Sequence, residues 1–153
     1  MRAARFLAGA SALVLVTVFS LRAQSSPGLP YEQRTNVVYA EVHGTGLLMD
    51  IFTPKERRNG LGIVDVVSGA YRSDRGKIRD HAMAQVYTIL CSHGYTVFAV
   101  RPGSITRYTG FEMLAHIQMG IRHVKQHASE YAIDPERLGI TGASAGGSGS
   151  TAS

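Results

Sequence analysis

The sequence contains a single cysteine, Cys91, among its 153 residues, so an internal disulfide is excluded. Cys91 falls in a segment with helical spacing, and we expect it to be a small buried residue. The sequence also lacks a His-Glu-x-x-His motif and paired cysteines, which excludes the common zinc spacings. The sequence gives little support for a nucleotide-binding site. It contains neither the Gly-Lys-Ser/Thr of a phosphate-binding loop nor a Gly-x-Gly-x-x-Gly motif with a later acidic residue. We expect no metal and no cofactor.

No excess of charge is present: 18% of the residues are charged, which is ordinary for a globular protein, and the formal net charge is +5. Basic residues are densest at Arg57-Arg58 and between Arg72 and Arg79, and neither cluster is interleaved with stacking aromatic residues. A nucleic-acid-binding surface would combine basic residues with stacking aromatic residues. We therefore expect the two basic clusters to lie on solvated faces of the protein, and we expect no nucleic-acid partner. Arg72, Asp74 and Arg75 could border a polar substrate, but a surface charge cluster is the favoured interpretation.

Long apolar runs are confined to the N-terminus. Arginines precede the apolar run from Phe6 to Phe19, and Ala23 offers a small residue for cleavage. This order predicts a secretory signal peptide at residues 1–23, and the run is shorter than the roughly 20 residues of a membrane span. We expect a secreted or periplasmic protein without stable membrane insertion after cleavage, whereas an uncleaved segment would anchor it. Residues 24–35 are predicted to form a polar lead-in.

Short extended segments follow the lead-in. Asn36 to Val42 and Leu47 to Phe52 are separated by His43-Gly44-Thr45-Gly46, which predicts an antiparallel hairpin. The nearly continuous apolar runs from Leu61 to Val67 and from Tyr95 to Val100 are typical of strands that are buried on both faces.

Two helices are predicted between and after these runs. Asp80 to Ser92 has helical spacing, and a longer helix of about six turns carries an apolar stripe from Phe111 to Tyr131. The turn at Asp134-Pro135-Glu136 then leads into a short strand, Leu138 to Thr141. The alternation predicts an α/β fold, in which an antiparallel hairpin leads into a mostly parallel sheet with helices on both faces.

The pentapeptide Gly142-Ala143-Ser144-Ala145-Gly146 directly follows the last strand. A serine exposed on a sharp strand-to-helix turn needs a strained backbone, and Gly142 and Gly146 let the strand and helix approach each other without Cβ clashes. We therefore predict that Ser144 is a catalytic nucleophile. The alternative is a flexible tail, because residues 146–153 are all Gly, Ser, Thr or Ala.

A family resemblance rests on four segments: Met49-Asp50-Ile51-Phe52-Thr53-Pro54, Ser68-Gly69-Ala70-Tyr71, Asp134-Pro135-Glu136-Arg137-Leu138, and Gly142 to Gly147. In this order they resemble the α/β-hydrolase superfamily, and more narrowly its secreted acetyl-esterase and feruloyl-esterase-like lipase group. The resemblance covers the N-terminal half of such a domain. Residues 36–147 are interpreted as a partial hydrolase domain, truncated after the nucleophile elbow, and residues 148–153 as a Gly/Ser-rich tail.

The resemblance implies acyl transfer. Ser144 would attack an ester carbonyl, and the backbone N–H groups of Gly69, Ala70 and Ala145 would hold the oxyanion. Members of this group carry His-Gly-Gly or Gly-Gly-Trp where this chain has Ser68-Gly69-Ala70-Tyr71, a change that keeps the backbone donors. A polar strand-to-loop transition without an anion role is the alternative for this loop.

The resemblance also implies that an acid and then a histidine follow the nucleophile. None of residues 145–153 is Asp, Glu or His, and all six histidines precede Ser144. We expect none of the six to be the general base. Three are expected at exposed positions of the long helix, namely His116, His123 and His127. His81 is expected to be part of a helix start.

Two functions stay open on the sequence. The preferred one is a serine carboxylesterase that hydrolyses small or carbohydrate-linked esters through an acyl-enzyme, in a chain that is incomplete, inactive and poorly stable by itself. The alternative is a non-catalytic exported remnant of a hydrolase, or a binding protein with half of that fold.

Overall fold

The computed structural model describes residues 28–144 of the chain. The strands are β1 (Tyr31–Val42), β2 (Thr45–Pro54), β3 (Gly62–Val66), β4 (Thr96–Val100) and β5 (Leu138–Gly142). The helices are α1 (Arg75–Met83), α2 (Val86–Ser92), α3 (Gly110–Gln126) and α4 (Ala128–Tyr131). The predicted signal peptide and tail, together with Ala145 and Gly146, lie outside the described residues.

The five strands form one sheet in the order β1-β2-β4-β3-β5. β1 and β2 make an antiparallel hairpin, and β2 is also antiparallel to β4. β3 runs parallel to both β4 and β5. The predicted fold class, a hairpin that leads into the parallel part of a sheet with helices on both faces, is confirmed.

The hairpin between β1 and β2 has a two-residue turn. His43 and Gly44 have φ angles of 50° and 69°, so both central residues are left-handed. This is the combination that a type I′ turn requires, and its twist matches that of the flanking strands. The predicted hairpin is confirmed, although β1 begins at Tyr31, inside the segment that the sequence predicts as a lead-in.

Two apolar clusters cover the two faces of the sheet. Val64, Val66 and Phe98 pack on the side of α3 and α4, and Phe52 and Val97 pack on the side of α1 and α2. β3 and β4 are therefore buried on both faces, as their apolar runs predict. Burial of Cys91 in α2 is also confirmed, and it raises the pKa of the thiol to about 12.

The single helix predicted over Asp80–Ser92 is wrong. Helix α1 begins at Arg75, where the Asp74 side chain caps it by accepting a hydrogen bond from the Gly76 N–H at 2.7 Å. The chain then leaves the helical conformation at Gln85, which has a φ of 60°. This break reorients α2, so that the Tyr87 ring stacks on Phe52 with 3.8 Å between ring centroids.

The long helix is shorter at its C-terminal end than predicted. Thr109 and Glu112 form a capping box at the start of α3, and the helix ends at Gln126, before the separate α4. His127 departs from helical geometry with a φ of −105°. The apolar stripe does not include Phe111, which is 89% exposed at the start of α3.

Gly94 provides a test of the packing between α2 and the loop before β3. Its φ of +89° is left-handed, and a Cβ at this position would lie 2.7 Å from the Arg57 carbonyl oxygen. In the protein expressed from its complete gene, Gly94→Ala is expected to lower the free energy of unfolding by about 3 kcal/mol. Urea unfolding measures the change.

Gly44→Ala is the matched control. Gly44 is also left-handed, at +69°, but a Cβ there would have no neighbour within 4 Å. Only the conformational cost applies, about 1 kcal/mol. Equal losses for the two variants would contradict the close approach at Gly94.

Candidate active site

The carboxyl ends of the three parallel strands meet at one edge of the sheet. Val66 at the end of β3 aligns with Val100 of β4 and with Gly142 of β5. The loops that follow these strands therefore emerge side by side: residues 67–74 after β3, residues 101–109 after β4, and the Ser144 turn after β5. Ligands of open α/β sheets bind at this edge.

Ser144 lies two residues beyond β5, on the turn that the elbow pattern predicts. It is exposed and has a φ of 55°, a left-handed conformation that is uncommon for a residue with a side chain. Gly142, the first predicted elbow glycine, is the last residue of β5. The strained backbone and the exposed hydroxyl are the two properties that a nucleophile elbow requires.

The loop after β3 folds into a tight turn at the predicted oxyanion residues. Gly69 and Arg72 exchange two backbone hydrogen bonds of 2.9 Å, and Ala70 and Tyr71 between them have φ angles of 49° and 57°. The Gly69 N–H therefore donates to the Arg72 carbonyl. The Ala70 N–H, by contrast, donates no hydrogen bond to any group within residues 28–144.

The loops after β3 and β4 are bound to each other. The Ser73 N–H donates to Ser104 Oγ at 3.0 Å, and the Ile105 N–H donates to the Tyr71 carbonyl at 2.9 Å. The buried Ser73 hydroxyl also donates to the Gly103 carbonyl. Because these bonds span two loops, they fix the turn at Ala70 relative to β4.

A buried carboxylate holds the start of α1. Asp50 on β2 is fully buried and pairs with the Arg75 guanidinium at 3.1 Å. It also accepts hydrogen bonds from the Gln33 side chain at 2.9 Å and from the Asn36 N–H at 3.0 Å. Arg72, Asp74 and Arg75 are all exposed, as expected of a surface charge cluster, and Arg75 in addition pairs with the buried Asp50.

A second buried carboxylate holds the other end of α1. Asp65 on β3 is 1% exposed, and its Oδ2 lies 2.7 Å from His81 Nδ1. The Tyr87 hydroxyl donates to the same oxygen at 3.1 Å. The bond to Asp65 raises the pKa of His81. Burial together with this carboxylate raises the pKa of Tyr87. The expectation that His81 belongs to a helix start is wrong, since it lies in the last turn of α1.

The histidines of the long helix also differ from expectation. His116 is buried at 2% exposure, because its Nδ1 bonds to the Pro102 carbonyl and its ring packs against Tyr108. His123 and His127 are half-buried and stack on each other, and burial lowers the pKa of His123. Within residues 28–144, no histidine forms a hydrogen bond with Ser144.

Sequence reasoning missed Asp50 and Asp65. Each is the only charged residue within a short apolar strand segment, Leu47–Phe52 or Leu61–Val67. A buried carboxylate is costly unless it is paired, so a lone Asp in such a segment could have predicted a partner. What the sequence does not provide is the identity of the partners. They come from β1 and α1 for Asp50, and from α1 and α2 for Asp65.

In residues 28–144, no group of three or more His, Cys, Asp or Glu side chains is placed to hold a metal ion. None of the helices described is long and apolar enough to cross a membrane.

The Asp65–His81 contact predicts a pH-dependent stability. The raised pKa of His81 in the folded protein means that its contribution is complete below about pH 6.5, the unfolded pKa, and is lost as the pH rises through the folded pKa. His81→Gln is expected to cost about 1.5–3 kcal/mol at pH 5.5 and less at pH 9. Urea unfolding across this range gives the difference.

Tyr87→Phe is the control for that series. It removes a bond to the same carboxylate oxygen but leaves the imidazole in place, so its cost should depend far less on pH between 5.5 and 9. A cost of His81→Gln that stays constant over the range would contradict the assigned interaction.

The family model BD-FAE matches residues 49–151, about two thirds of the chain. No curated protein matches the chain. Among solved structures, a truncated form of a carbohydrate esterase from gut microbiota has a TM-score of 0.64 and 27% identity, over 80% of this chain and 43% of that chain.

Two more distant structures share the fold. A thermophilic carboxylesterase cloned from a metagenomic library has a TM-score of 0.65 and 19% identity, over 78% of this chain and 39% of its own. A thermophilic esterase from the planctomycete Thermogutta terrifontis has a TM-score of 0.59 and 22% identity, over 79% of this chain and 42% of its own. The chain spans less than half the length of these solved structures. The family match and the shared fold agree: this chain belongs to the BD-FAE family, an esterase-associated family of α/β-hydrolases.

Proposed function

We propose that the protein is a serine carboxylesterase that works through an acyl-enzyme, with Ser144 as the nucleophile. The observation that carries the proposal is the left-handed, exposed Ser144 directly after β5. In this geometry the hydroxyl projects from the edge of the sheet, where an ester can reach it. Membership of the BD-FAE family supports the same chemistry.

The reaction proceeds in two steps. Ser144 Oγ attacks the ester carbonyl carbon, the bond to the alcohol oxygen breaks, and the alcohol leaves with a proton. Water then hydrolyses the acyl-serine and regenerates the hydroxyl. The proton is transferred by a general base that we place outside residues 28–144, because no histidine there bonds to Ser144.

The oxyanion that forms in each step needs backbone donors. We propose the N–H groups of Ala70 and Ala145 as the main pair, with Gly69 as a further candidate. The Ala70 N–H is not used within the described residues, whereas the Gly69 N–H would have to leave the Arg72 carbonyl. Ala145 directly follows Ser144, as the second donor does in this fold.

Small or carbohydrate-linked esters are the proposed substrates. The support is that one of the similar structures is a carbohydrate esterase and another is a carboxylesterase. Export is part of the proposal, on the charge and apolar pattern of residues 1–23. N-terminal sequencing of the secreted protein would test the cleavage after Ala23.

Ser144→Ala tests the proposed function in the protein expressed from its complete gene. The variant is expected to lower kcat for p-nitrophenyl acetate and for an O-acetylated pyranoside by at least about 10³-fold. Ser129→Ala is the matched control, since Ser129 is an exposed serine on α4, away from this edge. Its kcat should match that of the wild type.

Two outcomes would contradict the proposal. Equal hydrolysis by the wild type and Ser144→Ala would exclude Ser144 as the nucleophile. A wild-type protein that hydrolyses neither ester would favour the non-catalytic alternative.

A further inference from the structure

His116 is a polar residue on the buried side of helix α3. Its side chain is buried, and its Nδ1 bonds to the backbone carbonyl of Pro102, in the loop after β4. Because a carbonyl oxygen can only accept, Nδ1 carries the proton and donates it to this bond. A buried imidazole without a partner would be costly, so the bond holds the Pro102 carbonyl against α3.

Helix α3 is itself fixed against strand β4. Gly120 lies one turn after His116 on the same side of the helix, and a Cβ at Gly120 would be 2.9 Å from the Cγ1 of Val100. The helix therefore approaches the strand as closely as a glycine allows. Val100 is the last residue of β4, two residues before Pro102, so the position of His116 is defined relative to the loop that begins there.

The same loop is bonded to the loop that carries Ala70. The Ser73 hydroxyl donates to the Gly103 carbonyl, and the Ser73 N–H donates to Ser104 Oγ at 3.0 Å. Ser73 lies three residues after Ala70 and directly after the turn that Ala70 belongs to. A series of hydrogen bonds therefore connects His116 on α3 to the turn at Ala70.

The backbone at Gly103 has little room to move. Its φ of +89° is left-handed, and a Cβ at this position would be 2.6 Å from Tyr108 Cδ2 and 3.5 Å from His116 Nδ1. The Tyr108 ring stands perpendicular to the His116 ring, with 4.6 Å between the ring centroids. Gly103 is therefore packed against both rings, and loss of the imidazole would remove part of its support.

We infer that His116 is a positioning residue of the esterase: through the loop after β4, its bond to Pro102 holds the Ala70 N–H in the place where the oxyanion forms. The inference rests on the proposed function. His116 makes no hydrogen bond to Ser144, so it acts through the backbone of the two loops and not as a base. Because the oxyanion develops only after substrate has bound, a displaced donor lowers kcat and leaves KM nearly unchanged.

The test measures kcat and KM for p-nitrophenyl acetate, using the protein expressed from its complete gene. His116→Leu removes the donor and is expected to lower kcat about tenfold, with KM within about twofold of the wild-type value. In His116→Asn the side-chain amide nitrogen takes the place of Nδ1 and can donate to the Pro102 carbonyl. This variant should therefore keep most of the wild-type kcat.

Gly94→Ala is the control for lost stability. It is expected to destabilise the protein, but Gly94 precedes β4 and lies at the opposite edge of the sheet from Ser144. Its kcat should match that of the wild type at a temperature at which urea unfolding shows both variants to be folded. A loss of kcat confined to His116→Leu then reports on the loop and not on general destabilisation.

A double-mutant cycle with Ser73→Ala tests the route through the loop. Ser73→Ala removes the hydroxyl that bonds to Gly103 and should lower kcat several-fold by itself. If both side chains act on the same loop, the double variant should lose little more than the worse of the two single variants. Losses that multiply would contradict this route. An unchanged kcat in Ser73→Ala would overturn the inference even if His116→Leu does not fold.

Three results for His116 would also overturn the inference: an unchanged kcat in His116→Leu, a higher KM in place of a lower kcat, or equal losses in His116→Leu and His116→Asn. With any of these, hydrolysis that still depends on Ser144 leaves the proposed function standing. If hydrolysis does not depend on Ser144, the proposed function itself is wrong, and the role of His116 with it.

Discussion

Helix α1 is held to the sheet by two buried carboxylates, one at each of its ends. Asp50 on β2 pairs with Arg75, the first residue of the helix, and Asp65 on β3 contacts His81 in its last turn. Between them only Ile78 is buried from α1. An unpaired carboxylate inside the protein would be costly, so the two pairings fix where the helix can lie.

The placement of α1 has consequences for the candidate active site. The loop of residues 67–74 runs directly from β3 into this helix, and it carries Ala70 at a strained turn. With the helix fixed at one end and β3 at the other, the loop has little freedom, and its bonds to the loop after β4 reduce that freedom further. A preorganised backbone donor beside the carboxyl end of β5 is what stabilisation of an oxyanion needs. Two polar contacts far from Ser144 in the sequence thereby support the geometry around it.

The elements that depend on apolar periodicity could be predicted from the sequence. The hairpin, the buried strands β3 and β4, and the short strand β5 that ends two residues before Ser144 follow from local patterns of apolar residues and glycines. Helix α1 could not be predicted in full, because its first half is held by charges rather than by an apolar stripe. The break at Gln85 carries no glycine or proline to indicate it. His116 is polar and was expected in solvent, but the Pro102 carbonyl satisfies it inside the protein.

Trapping the acyl-enzyme tests the central claim most directly. The protein expressed from its complete gene would be mixed with p-nitrophenyl acetate, quenched in acid within the first turnover, digested and analysed by mass spectrometry. The account predicts one acetyl group, located on Ser144. Hydrolysis with no acetylated serine, or with the acetyl group on a different residue, would contradict it.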